Sequence, residues 1–316
     1  MPLKGQPYDF PEVVDSTILV TFDACEQRCL NEYVHHLAKS EISQDLHAGG
    51  AFAAGIEGTR KALWEQQKSL EASLLDGIRA LSIYWGDFEP PPNSKSAKDF
   101  PTVACALLDY YREYDPRMDS LRPYMMANGK PAIEFTFALP TEVKHPQTGN
   151  PVLYGGRLDM LGYYEDLPVV VDEKTTKNTP SAGWAEQLHM RGQFIGYIWG
   201  VQQHGLPFSN VLCRLVVIQK TQYKHIPAIV QIAQWQIERW WEQTNRKIRK
   251  MVECWETGDW GYSYGDSCNS YGGCVMLPIC VQEEPELFIG DYATRYWNPL
   301  EKDPSRRNTP LDAPSA

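Results

Sequence analysis

Asp172 and Lys174 stand two residues apart at the end of a valine run, Val169-Val170-Val171-Asp172-Glu173-Lys174. Three β-branched residues in succession suit a strand covered on both faces. Side chains alternate along a strand, so Val170, Asp172 and Lys174 share one face and Val171 and Glu173 the other. A carboxylate and an ammonium therefore project together from the end of an apolar strand, and Glu173, facing away, is expected to matter much less. Asp159 lies in the preceding segment, 152–164, which alternates like a second strand. The short connector Tyr164-Glu165-Asp166-Leu167-Pro168 implies that the two strands pair, which brings Asp159 near Asp172 and Lys174. Two carboxylates at one strand edge suit a hard divalent cation such as Mg²⁺, which keeps waters and phosphate oxygens in its shell. Such an ion positions and deprotonates water, and a neighbouring lysine steadies an anionic transition state. The chemistry is that of phosphodiester hydrolysis. Taken alone, Asp-x-Lys far more often describes a weak surface ion pair where a strand meets solvent; the Gly-x-x-Asp strand and valine run before it make the pattern more demanding.

The elements that must hold these residues follow from periodicity. Residues 16–125 are mostly helical in pattern. The stretch 55–85 places Leu63, Leu70, Leu74 and Ile78 at helical spacings, and 99–114 reads as another helix. Residues 131–140 alternate as a strand, with Ile133, Phe135 and Phe137 on one face and Glu134 on the other. Residues 185–205 look helical and stop at Gly205, two further strands follow, and 237–258 is a long helix. Helices, then strands with a helix between, predict an α/β core inside a helical frame. The division expected is a mainly helical region over 1–125, a core over 126–260, a cysteine-bearing segment over 261–302 and a disordered tail over 303–316. Residues 1–15 also read as poorly ordered.

The 316 residues are 43% hydrophobic, 22% charged and 12% aromatic, the composition of a folded protein. A net charge of -10 argues against a generally adhesive nucleic-acid coat, but leaves room for a local basic groove. There is no apolar run of membrane-spanning length and no signal-peptide pattern, so a reducing cytoplasm is expected, with no membrane partner. The eight cysteines then need an explanation other than disulfides.

At this point the chain resembles a family. Gly156-x-x-Asp159, Asp172-x-Lys174 and Gln193-x-x-x-Tyr197 are similar to the three motifs of the RecB-like branch of the PD-(D/E)XK nuclease superfamily. The resemblance implies a restriction-endonuclease-like core, a mixed sheet flanked by helices. It implies a metal-dependent DNA exonuclease acting on single strands or duplex ends, with Asp159 and Asp172 holding Mg²⁺ or Mn²⁺, Lys174 assisting water, and Gln193 and Tyr197 facing the site and its DNA. Glu134 falls where many relatives carry an acid: it is either a further ligand or a solvent-facing strand residue. Many relatives also place a metal-binding histidine in a G-x-x-x-H-x-x-x-E helix, where this chain has Ala53 or Ala54 in Gly49-Gly50-Ala51-Phe52-Ala53-Ala54-Gly55-Ile56-Glu57. Recombination, repair or phage DNA processing is the implied setting, with protein partners in such a complex and a host cytoplasm if phage-encoded. A spacer-processing nuclease of CRISPR adaptation is the neighbouring reading, and a catalytically silent DNA-binding module the reading from another class.

Cys268, Cys274 and Cys280 are spaced C-x5-C-x5-C in a segment with Gly265, Gly272, Gly273 and Pro278, which reads as loop. Clustered cysteines in a reducing compartment suggest metal, and zinc more often uses C-x2-C spacings. Cys25, in a segment similar to the family's N-terminal C-x-x-R-x-x-x-x-Y, is the fourth ligand that the resemblance implies for a [4Fe–4S] cluster, with Cys29 in reserve. Trp235, Trp240 and Trp241 read as core before base-stacking platforms. The basic run Arg246, Lys247, Arg249 and Lys250 reads as a solvated face before the wall of a DNA channel.

Overall fold

A computed structural model of the chain describes residues 2–269 and 273–301. Gly272 and the tail 303–316 lie outside the described residues. In chain order the strands are β1 (Val13–Val14), β2 (Leu37–Lys39), β3 (Leu121–Pro123), β4 (Ile133–Lys144), β5 (Pro151–Tyr164), β6 (Leu167–Thr176), β7 (Asn210–Ile218), β8 (Tyr223–Gln231) and β9 (Tyr292–Thr294). The helices are α1 (Ser16–Ala24), α2 (Glu26–Cys29), α3 (Gln44–Arg60), α4 (Leu70–Trp85), α5 (Phe100–Glu113), α6 (Trp184–Gln187), α7 (Gly192–Gln203), α8 (Gln234–Thr257) and α9 (Leu277–Cys280). They form an α/β fold with a mixed sheet flanked by helices. Two compact units result, neither continuous in sequence: Met1–Ser40, Thr136–Gly156 and Glu238–Ala316 in the first, Glu41–Phe135 and Arg157–Ile237 in the second.

In the second unit β5 and β6 form an antiparallel hairpin in the register Met160↔Val171 to Tyr164↔Leu167. Its turn residues Glu165 and Asp166 both have positive φ, 49° and 64°. That is the backbone a two-residue hairpin needs to match strand twist, usually met with Asn-Gly. β6 then runs parallel to β7, pairing Asp172 with Cys213 and Lys174 with Leu215, and β7 is antiparallel to β8. Every residue of β7 is buried, as expected of a strand covered on both faces. On one of those faces Val216 and Ile218 join Phe52, Ile56, Leu81, Val103 and Leu107 of α3, α4 and α5 in one core.

Two helix expectations change. The stretch 55–85 is not one helix: α3 ends in a π turn at Lys61–Glu65, Gln67 takes φ 52°, and α4 restarts with Ser69 accepting from the Ala72 amide. A serine that caps offers the chain a new start that hydrophobic spacing does not reveal. The stretch 185–205 also breaks, because Arg191 is extended between a 3-10 turn and α7.

In the first unit β1 runs parallel to β5 through Val13↔Leu153 and Val14↔Tyr154, and β2 pairs antiparallel with β9. The expectation of poorly ordered residues 1–15 does not hold for those described. Leu3, Phe10 and Val14 are buried, and the His35 ring donates to the Pro7 carbonyl at 2.5 Å while accepting from the Leu3 amide at 2.9 Å. A buried, neutral imidazole can serve both backbone groups at once, which ties the terminus down. Of the basic run on α8, Lys247, Arg249 and Lys250 pair with Asp23, Glu142 and Glu253.

Candidate active site

Asp159 and Asp172 lie one residue beyond the last registered pair of the β5–β6 hairpin, Met160↔Val171. They therefore share a sheet face. Asp172 is 2% exposed, and its Oδ1 accepts from the Lys174 ammonium at 2.8 Å. Its Oδ2 is buried without a hydrogen-bond partner among the described residues. Asp159 Oδ2 accepts from the backbone N–H of Glu173 at 2.8 Å. Burial first, then the charges of Asp172, Glu173 and Glu134, push the Asp159 carboxyl well above its ordinary range. Burial opposes the Lys174 ammonium, but Asp172 and Asp159 more than offset it and hold the charge in place. An orphaned carboxylate oxygen beside a second, half-buried acid is an arrangement short of positive charge. Such a group costs free energy until a cation or proton meets it.

Glu134 belongs to the same electrostatic set. It takes φ 55° at the start of β4, a left-handed conformation uncommon for a side chain of its size, so simple alternation does not describe it. Its carboxyl is pushed up to about 7, by burial first; Arg157, paired at 3.2 Å, pulls it down and Glu57 pushes it up. Gln193 donates to the Tyr197 hydroxyl at 2.8 Å along one face of α7, and Tyr197 is 8% exposed.

A family model for the PD-(D/E)XK nuclease superfamily matches residues 16–281. The chain belongs to that superfamily. Its nucleases generally use divalent metals. A candidate exonuclease from Eubacterium rectale is similar in structure at 11% identity and a TM-score of 0.45, over 82% of this chain and 88% of that one. A protein named SSO0001 is similar at 12% identity and a TM-score of 0.27, over 69% of this chain and 80% of that one. Among curated proteins none matches by sequence.

Arg60 and Arg191 of this superfamily member escape sequence reasoning, and Glu57 enters it only as the acid that ends the Gly49–Glu57 segment. Glu57 of α3 is buried, bonded to Lys61 at 2.6 Å and acts on Glu134. Of the two alanines at the expected histidine position, Ala53 is exposed and Ala54 half-buried. Arg60, one turn after Glu57, clamps Glu173, and Tyr110 adds a bond to the same carboxylate at 2.9 Å. Glu173, expected to matter less than Asp172 and Lys174, is held on its own face of β6 in a closed ion pair. Arg191 sets its charge on Lys174 and Cys213. The sequence signal for Glu57 and Arg60 was charge inside a helical stretch, and Arg191, at the break before α7, had none. Trp235 is 61% exposed and so is not core.

The predicted cysteine ligands gather in the first unit. Cys25 sits at the break between α1 and α2, where Glu26 accepts from the Gly261 amide at 2.9 Å and Gln27 donates to the Gly261 carbonyl at 3.0 Å. The Cys274 amide closes a turn onto the Cys268 carbonyl at 2.8 Å, and α9 ends at Cys280. Burial pushes the Cys280 thiol up to about 11, and the neighbouring Cys274, Cys25 and Cys268 add to it. A cavity of about 360 Å³ opens beside Cys25, Glu26, Gly261 and Tyr262. Cys29 is buried, with Cys254 among its neighbours. Among the described residues no three His, Cys, Asp or Glu side chains already form a metal-holding group, and no helix is long and apolar enough to cross a membrane.

Proposed function

We propose that this nuclease is a metal-dependent DNA exonuclease of the RecB-like branch, acting on single strands or duplex ends. The observation that carries the reading is the buried, unpartnered Asp172 Oδ2 on a face shared with Asp159 and beside Lys174. Asp159 and Asp172 would hold Mg²⁺ or Mn²⁺, with Glu134 as the third acid. When bound, the metal activates water and neutralises phosphate charge. Lys174 is kept charged by its acids, so its ammonium is available to steady negative charge on the scissile phosphate. Gln193 and Tyr197 orient each other on α7 and would position the strand. End-labelled single- and double-stranded DNA, digested with Mg²⁺ or Mn²⁺, is the test. Metal-dependent shortening by wild type and none by Asp172→Ala is expected. Equal cleavage by both, or none by wild type, overturns the assignment.

The reading includes a [4Fe–4S] cluster on Cys25, Cys268, Cys274 and Cys280, in a structural role. Its support is that Cys25, distant in sequence, acts with Cys268 and Cys274 on the Cys280 thiol in the fold. Thiolates repel and are costly to bury, and four that converge suit the irons of a [4Fe–4S] cluster, one thiolate to each. Anaerobically purified protein should be brown, with iron and labile sulfide in equal amount; colourless, iron-free protein rejects the cluster.

A further inference from the structure

The face of β6 opposite Asp172 holds a charge pair that the proposed chemistry does not use. The Glu173 side chain is 3% exposed and that of Arg60 5%. Arg60 reaches both carboxylate oxygens, with Nη1 to Oε2 at 2.9 Å and Nη2 to Oε1, and the Tyr110 hydroxyl donates to Oε1. Burial raises the Glu173 carboxyl, yet Arg60, with Arg214 and the Tyr110 hydroxyl, more than offsets this and holds it below its ordinary value. A buried pair of this kind is weak evidence for stability, because well-packed apolar residues would serve as well. What a guanidinium fork supplies is direction: two parallel bonds permit one orientation of the carboxylate.

That orientation has a reader on the other face. The backbone N–H of Glu173 donates to Asp159 Oδ2 at 2.8 Å. Glu173 is also the residue between Asp172 and Lys174, so a rotation of its peptide would tilt both neighbours. We infer that Arg60 is a positioning residue, which through Glu173 aims the amide that fixes Asp159 and sets the strand segment carrying Asp172 and Lys174. The inference rests on the reading of Asp159 and Asp172 as metal ligands. Partners that orient ligands typically change metal affinity 10- to 100-fold when lost.

The experiment is Arg60→Lys, which keeps the charge but not the fork. Three quantities are measured on the full chain: melting temperature, hydrogen exchange of the Glu173 amide, and Mn²⁺ binding followed by the paramagnetic resonance of free Mn²⁺. A folded variant whose Glu173 amide exchanges faster than global unfolding explains, with Mn²⁺ bound about 10-fold more weakly, supports the inference. Its cleavage should lose kcat with KM for DNA kept. Wild-type exchange and Mn²⁺ affinity overturn it. If Arg60→Lys does not fold, Arg60→Gln with Glu173→Gln removes both buried charges. Wild-type Mn²⁺ affinity in that double variant would make the pair a matter of packing alone and overturns the inference, whereas weakened affinity supports it. Wild-type protein that binds no Mn²⁺ sinks the metal reading instead, and the amide exchange then decides Arg60's hold on Glu173 by itself.

Discussion

The carboxylates and the cysteines are assembled by opposite routes. Asp159 and Asp172 come from two strands joined by the Glu165-Asp166 turn, so their meeting needs only a hairpin in the right register. Cys25 comes from the start of the chain and Cys268, Cys274 and Cys280 from its end, so their meeting needs the first unit to close on itself. The entropy lost on closing a long loop must be offset by whatever joins its ends, here Gly261 to Glu26 and Gln27, and the proposed cluster. The hairpin site holds a deficit, an acid oxygen without a partner. The cysteine site would cancel one. From this difference follows a division of labour: damage to the acids should cost chemistry and leave the fold, and damage to the cysteines should cost the fold first.

Asp172→Ala sharpens the contrast most. Cleavage should fall by about 10²-fold or more, while the melting temperature changes little, since removing the unsatisfied Oδ2 offsets losing the bond to Lys174. A large fall in melting temperature would break the comparison. Cys280→Ala comes next: iron should fall to background and the melting temperature should drop, with residual cleavage per folded molecule retained. Retained iron in the variant would break the other half.

Acid should act on the first unit through His36, whose imidazole is lowered to about 4, mainly by burial. A histidine lowered in the fold is neutral in both states above its ordinary value, so stability is full there and is lost as pH falls from 6.5 toward 4. Between pH 7 and pH 5 the loss is about 2 kcal/mol. His36→Asn suits the φ of 57° and removes the titration. Urea unfolding at the two pH values should show a flatter response in the variant, and an equal response would clear His36. Gln193→Ala should have the smallest effect, a loss of less than about 10-fold in activity, since it removes one neutral hydrogen bond to Tyr197. A collapse of stability there would make α7's polar pair part of the core.

Much of this was legible without coordinates. The valine run, the alternation of 152–164 and the short connector between them define a hairpin, because strand periodicity and turn length are local properties. Val169, Val170 and Val171 are all fully buried, as their branching suggested. That Asp159 and Asp172 share a face followed from those same local rules. Glu134 shows where they end: one positive φ redirects it, and nothing in Ile133-Glu134-Phe135 announces that.

What only the tertiary structure decided was the partner of each buried charge. Alternation puts Glu173 on the face opposite Asp172, but whether it meets water or Arg60 there depends on which helix packs on that face. The same holds for Arg214 of β7, which is 2% exposed, bonds Asp119 at 2.8 Å and lies 3.9 Å from the centre of the Tyr114 ring. Nor does any spacing within the sequence bring Cys25 to Cys280. Local periodicity sets which residues share a face; the partner across that face is chosen by contacts distant in sequence, and only the folded chain makes them.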